Sequence, residues 1–221
     1  MLLDRQRVKF WQKWVFALMA IIMAAFLVMI PLSNNMGCGG TAAVTKQLDT
    51  EIAKYQAAVN ADPTNVGSWR SLAENYVLRA NQQAQGSAGQ EADYRTAAQD
   101  YQRAVTLLSK QKGAAAKQSR LDTLQQLASV YLFLKDYQQA TSVYGQITAL
   151  KPKDAQSFFD MASVAISAGD TKTALLAFTT YLKLDPNAPD AQSIKDWIAA
   201  NSGKTTPSPA PSPTSSAGGG K

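Results

Sequence analysis

Apolar and polar positions divide the chain into three regimes. Trp14 to Leu32 is an unbroken run of 19 uncharged residues, WVFALMAIIMAAFLVMIPL, ten of them Leu, Ile, Val or Phe. Nineteen helical residues cover about 28 Å, the thickness of a hydrocarbon core. Those ten side chains favour insertion by about 3–6 kcal/mol. A transmembrane helix over 14–32 is therefore predicted, with Trp11 and Trp14 at the near interface and Pro31 at the exit. From about Thr45 the pattern changes to Ala, Leu, Gln, Lys and Asp with apolar residues at helical spacing and almost no β-branched alternation. The last stretch, SGKTTPSPAPSPTSSAGGGK, alternates Pro with Ser and Ala, which disfavours helix and ladder alike and predicts a solvated, polyproline-II-like spacer. The expected organisation is a basic flank (1–13), a membrane span (14–32), a linker (33–44), a helical domain (45–201) and a Pro/Ser-rich tail (202–221).

Proline supplies a period in the helical region. Pro152 and Pro186 stand 34 residues apart, each closing a Leu-Lys-Pro or Leu-Asp-Pro sequence. Shifting by 34 aligns Leu124, Leu127-Ala128, Ala140, Tyr144, Ile147 and Pro152 with Phe158, Met161-Ala162, Ala174, Phe178, Tyr181 and Pro186. Tyr131 against Ala165 and Lys135 against Gly169 agree less well. Upstream, Trp69, Leu72-Ala73 and Tyr76 repeat the first-helix pattern, and Ala97, Tyr101 and Ala104 the second, arriving 12 residues late.

These residues resemble the tetratricopeptide repeat, whose pattern runs Trp-x2-Leu-Gly-x2-Tyr, Ala-x3-Phe and Pro over 34 residues. Ala73, Ala128 and Ala162 stand where the family often has Gly; both are small, as a close helix crossing requires. The resemblance implies an all-α solenoid of about three helical hairpins, behind the single N-terminal transmembrane helix. Tyr55, Ala58 and Pro63 match the end of a repeat, so 45–60 reads as a half-unit that starts the stack. Ala191, Ile194, Trp197 and Ile198 form the apolar stripe of a capping helix. Two departures stand out: an insertion around 81–93 and an excursion over 109–120. Trp69, Tyr76, Tyr101, Tyr131, Tyr144, Phe158, Phe178 and Tyr181 fall at repeat positions that pack the core.

Composition narrows the chemistry. The 221 residues contain no His and one Cys. His-based triads, His-ligated metals and haem, internal disulfides, zinc clusters and iron–sulfur sites are excluded. No Walker loop, dinucleotide glycine motif, calcium loop or paired catalytic carboxylates are found. No catalytic, metal or cofactor-binding residue is assigned, and no cofactor is expected. The net charge of +6 is largely terminal: +3 sits in residues 1–13 and +2 in 202–221, leaving 16 basic against 15 acidic residues between them. No nucleic-acid partner is expected from so neutral a middle. Lys110, Lys112, Lys117 and Arg120 form one local basic run.

Four basic residues precede the apolar run, and no charge follows it until Lys46. The positive-inside rule then places the flank in the cytoplasm and the helical domain outside. The short flank, the absence of Asn-x-Ser/Thr and the Ala/Gln-rich helices point to a bacterial plasma (inner) membrane. A cleaved signal peptide is the rival reading, although its apolar region would be shorter. Cys38 is open to three states: free thiol, lipidated, or disulfide-linked to a second copy. Bacterial lipoproteins usually carry Leu three residues before their cysteine, where this chain has Asn35.

The resemblance implies a concave surface lined by the first helix of each pair, which in the family commonly holds a peptide or partner helix. Here that surface would comprise Arg70, Glu74 and Leu78, then Gln125, Ser129 and Phe133, then Phe159, Ser163 and Ile166. Some relatives clamp a terminal carboxylate there with Lys and Asn; this set lacks that clamp. Phe133 and Phe159 are candidate apolar anchors. The expected partners are a protein, the bilayer through 14–32 and, as an alternative, further copies of the chain. The expected function is a non-enzymatic, membrane-tethered scaffold, with a self-assembling structural protein or an accessory factor for envelope, secretion or cytochrome assembly as alternatives.

Overall fold

A computed structural model describes residues 44–203. The expected span at 14–32, Cys38 and all but the first two residues of the expected tail lie outside them. Among the described residues, no helix is long and apolar enough to cross a membrane. The chain separates between Thr50 and Glu51 into two units, and of the first only 44–50 are described, all helical.

Among the described residues, eight helices follow one another: α1 over 44–61, α2 (Val66–Gln82), α3 (Ala88–Ser109), α4 (Ala114–Phe133), α5 (Tyr137–Leu150), α6 (Ala155–Ser167), α7 (Thr171–Leu184) and α8 (Ala191–Asn201). Local chemistry marks their ends. The side chains of Asn65, Ser87, Asp136 and Asp170 each accept a hydrogen bond from the backbone N–H three residues on. Pro63, Pro152 and Pro186 fall in the turns. From α2 onward each helix packs on the next, the nearest-neighbour arrangement of a helical repeat stack.

The departures from the 34-residue period are resolved largely as extra helix. Relative to α6 and α7, the first insertion adds four residues to the end of α2, two to the turn and six to the start of α3. Relative to α5 and α6, the second adds two residues to the end of α3 and seven to the start of α4; the connection keeps four residues. The basic run lies on that connection and on the first turns of α4.

The turn after α4 repeats the turn after α6. Lys135 N–H donates to Leu132 C=O and Asp136 N–H to Tyr131 C=O, as Gly169 N–H does to Ile166 and Asp170 N–H to Ala165. Both pivots are left-handed, with φ of 56° at Lys135 and 74° at Gly169. Lys135 is the one non-glycine residue with positive φ among the described residues. The weak sequence match between these positions therefore hides the same hydrogen-bonded, left-handed turn.

Among the described residues of unit two, three apolar clusters form the core. Ile52, Val59 and Leu72 gather with Tyr55, Trp69 and Tyr76; the indole N–H of Trp69 donates to Pro63 C=O at 2.9 Å. The largest cluster runs from Ala73 through Tyr94, Tyr101 and Tyr131 to Val164. The last joins Ala162, Phe178, Tyr181 and Ile194 with Phe158 and Trp197. Tyr101, Tyr131, Phe178 and Tyr181 are buried, and Trp69, Tyr76, Tyr144 and Phe158 are half-buried, as core positions require. Tyr181 Oη donates to Asp190 Oδ1 at 2.7 Å, tying α7 to the start of α8.

Candidate partner-binding groove and pocket

The nine expected groove residues separate by environment. Glu74, Leu78, Gln125, Ser129, Phe133 and Ile166 are exposed, while Arg70, Phe159 and Ser163 are half-buried. Helical geometry puts Glu74 and Leu78, four apart, on one face of α2; Gln125, Ser129 and Phe133 follow the same step on α4. Ser129 and Ser163 hydroxyls donate to their own helix, to Gln125 C=O and Phe159 C=O. Arg70 has a buried Nε without a hydrogen-bond partner. Ile166 stands one residue before Ser167, the position that corresponds to Leu78 and Phe133.

The two candidate anchors behave differently. Phe159 belongs to the last core cluster, with ring centroids 5.9 Å from Phe178 and 5.4 Å from Tyr181. Phe133 is 61% exposed. Its inner face stacks on the buried Tyr94, centroids 5.1 Å apart and planes within 5°.

That stacked pair lines a cavity of about 530 Å³. One wall comes from the inserted part of the chain, with Asn81, Gln83, Gln85, Gln90 and Glu91; the other is the end of α4, with Phe133, Leu134 and Lys135. The wall is internally braced. Arg79 Nε and Nη2 donate to the two oxygens of Asp93 at 2.9 and 2.7 Å. Gln83 Nε2 donates to Asp93 Oδ2 at 2.5 Å. Tyr94 Oη donates to Asn81 Oδ1 at 2.6 Å. Gln90 accepts from Gly86 N–H and donates to Ala80 C=O, closing the turn. The lining combines four neutral amides and one aromatic pair with two charged groups, the Glu91 carboxylate and the Lys135 ammonium. The sequence marked 81–93 only as an inserted segment. Phe133 was its sole groove residue in the pocket, and the 39-residue separation of Tyr94 and Phe133 concealed their pairing.

Beyond the pocket, and among the described residues, Asp100 is a buried carboxylate with one unpartnered oxygen. Asp100 is 7% exposed, and its Oδ2 makes no hydrogen bond. Burial pushes its pKa up to about 7. Among the described residues no group of three or more Cys, Asp or Glu could hold a metal ion.

No curated protein sequence matches the chain. At the level of structure the chain is similar to MamA, at 19% identity over 71% of this chain and 79% of that one, with a TM-score of 0.45. It is also similar to YrrB, a TPR protein described as having an unusual peptide-binding site, at 17% identity over 72% of each chain, with a TM-score of 0.47. A third is the Arabidopsis OM64 TPR domain, at 16% identity over 60% of this chain and 98% of that one, with a TM-score of 0.37. Residues 127–199, from the middle of α4 through α8, match the tetratricopeptide repeat family model.

Proposed function

We propose that the protein is a protein-interaction scaffold that holds a polypeptide partner along the exposed faces of α2 and α4, with Phe133 as the apolar anchor. The observation that carries this reading is Phe133: a large ring left 61% exposed beside a pocket, in a stack whose other aromatics are packed. An exposed, rigidly backed aromatic at a concavity is the usual form of an interface hot spot. The apolar run 14–32 extends the proposal. It would tether the scaffold to a bacterial plasma membrane with the repeats outside, raising the local concentration of whatever the groove holds.

The test is affinity purification of the full chain after crosslinking in cells, with wild type beside Phe133→Glu. One or a few proteins recovered with wild type and lost with the variant support the reading. Recovery of the same proteins by both removes Phe133 from the interface. Recovery of this chain alone by both favours self-assembly.

A further inference from the structure

We propose that the pocket between the α2–α3 turn and the end of α4 is a saccharide site that takes a neutral pyranose or a short neutral oligosaccharide.

The inserted segment supplies hydrogen-bonding groups that the fold leaves unused. Five of the ten residues 81–90 are Asn or Gln, and four of those amides line the pocket. Asn81 receives the Tyr94 hydroxyl on Oδ1 and keeps its Nδ2 hydrogens. Glu91 receives Arg95 on Oε1 and keeps Oε2. Among the described residues, neither the Gln85 amide nor the Lys135 ammonium has a hydrogen-bond partner. Unused donors and unused acceptors therefore line one concavity, and Gln85 alone offers both. A hydroxyl group donates and accepts at once, so the neighbouring hydroxyls of a pyranose can engage such a set. A phosphate only accepts and an ammonium only donates, so each would leave half of it idle. The Glu91 and Lys135 charges cancel and select neither an anion nor a cation.

The apolar part of the lining has the matching shape. Tyr94 covers one face of the Phe133 ring, which is 61% exposed and so open on the other. An aromatic face carries partial negative charge and attracts the weakly positive C–H bonds on the apolar side of a sugar ring. A flat, open ring gives a peptide side chain no socket to fill, whereas a pyranose can lie across it. The volume of about 530 Å³ falls within the range of about 300–1,000 Å³ usual for small-ligand sites.

The site is also ordered in advance, which lowers the entropy lost on binding. Asp93 holds the Gln83 amide, and Gln90 closes the turn. Gly89 lets Gln83 lie against the start of α3, since a Cβ there would come within 2.2 Å of Gln83 Oε1. Lys135 keeps a left-handed φ of 56° where the next repeat has Gly169. Such strain is tolerated where a residue serves a site. The assignment goes beyond the scaffold reading and shares only Phe133 with it, so a bound sugar and a polypeptide on that ring would compete.

The experiment screens the full chain, in a detergent without a sugar headgroup, on an array of neutral and charged oligosaccharides. Those retained are then titrated free in solution by calorimetry against wild type, Gln85→Ala, Phe133→Leu and Gln125→Ala. One or a few neutral oligosaccharides should bind saturably. Gln85→Ala should weaken them about two- to tenfold through lost hydrogen bonds, and Phe133→Leu by a similar factor through the lost ring face. Gln125→Ala, on the same face of α4 but outside the pocket, should change nothing. Binding to immobilised chains alone assigns an internal stretch of a glycan, and equal binding of the free sugar assigns a small saccharide; both support the site. Retention of no neutral saccharide, retention of charged ones alone, or an affinity untouched by both Gln85→Ala and Phe133→Leu overturns the proposal. A protein partner lost with Phe133→Glu but kept with Gln85→Ala, in a chain that binds no sugar, leaves the scaffold reading standing and removes this one.

Discussion

The rings of Tyr94 and Phe133 lie parallel, with centroids 5.1 Å apart, yet one is buried and the other 61% exposed. Tyr94 is fixed from below by the core and from the side by Asn81. It presents Phe133 as a rigid outer surface. Stacking of this kind contributes about 0.5–1.5 kcal/mol beyond area burial. Phe133→Ala should therefore destabilise only modestly, whereas Tyr94→Ala, which empties a core site, should cost about 3–5 kcal/mol. Urea denaturation of the two single variants and the double variant checks this. A double-mutant coupling near zero would show that the stack contributes nothing.

Lys135→Gly should stabilise the protein by about 1 kcal/mol, because glycine enters the left-handed region freely. Gly169→Ala should cost a similar amount at the equivalent turn, where an added Cβ meets nothing within 4 Å and only the φ of 74° opposes it. Thermal or urea midpoints of the two variants should move in opposite directions.

Asp93 is held by both Arg79 and Gln83 where the insertion begins α3. Asp93→Ala removes the carboxylate that joins Arg79, itself 26% exposed, to Gln83, and should cost about 1.5–3 kcal/mol, the range for hydrogen bonds to charged groups. Proteolysis should then cut first within 83–87. Equal protease resistance in the variant would show that this pair does not brace the wall.

Asp100 predicts a pH dependence of unusual sign. Its folded pKa is pushed up to about 7 from an ordinary 3.8 by burial. The folded state then binds the proton more tightly than the unfolded state, so this group's contribution falls as pH rises from about 4 to 7. The full gap corresponds to about 4 kcal/mol. Asp100→Asn should abolish that part of the slope and be more stable than wild type at pH 8. Unfolding free energies of the two chains between pH 4 and 8 give the answer directly; parallel curves would rule out a buried charge at Asp100.

The repeat was legible because its signal is periodic: small residues at helix crossings, aromatics on the core face and prolines in the turns all recur. Helices at 44–61 and Ala191–Asn201 stand where the same phase expects a half-unit and a cap. Legibility failed where neighbours came from distant sequence. Phe133 and Phe159 look alike as exposed-face aromatics, but Phe159 closes onto Phe178 and Tyr181, which only the packing of α6 on α7 reveals. Phe159→Glu should thus damage the fold, while Phe133→Glu should spare it. The insertion was visible as a break in period. Its conversion into extra turns of α2 and α3, and hence into a pocket wall, was not, since no local pattern distinguishes a long turn from longer helices. Lys135 against Gly169 read as a mismatch because side-chain identity conceals a shared backbone angle.

The groove is tested most directly by site-specific photo-crosslinking in cells. A benzophenone side chain at Ser129, exposed on α4 between Gln125 and Phe133, is compared with one at Thr106, exposed on α3. A partner held along α2 and α4 predicts a discrete crosslinked species from Ser129, lost on Phe133→Glu, and none from Thr106. Equal crosslinking from both positions, or a Ser129 adduct indifferent to Phe133→Glu, would contradict the account.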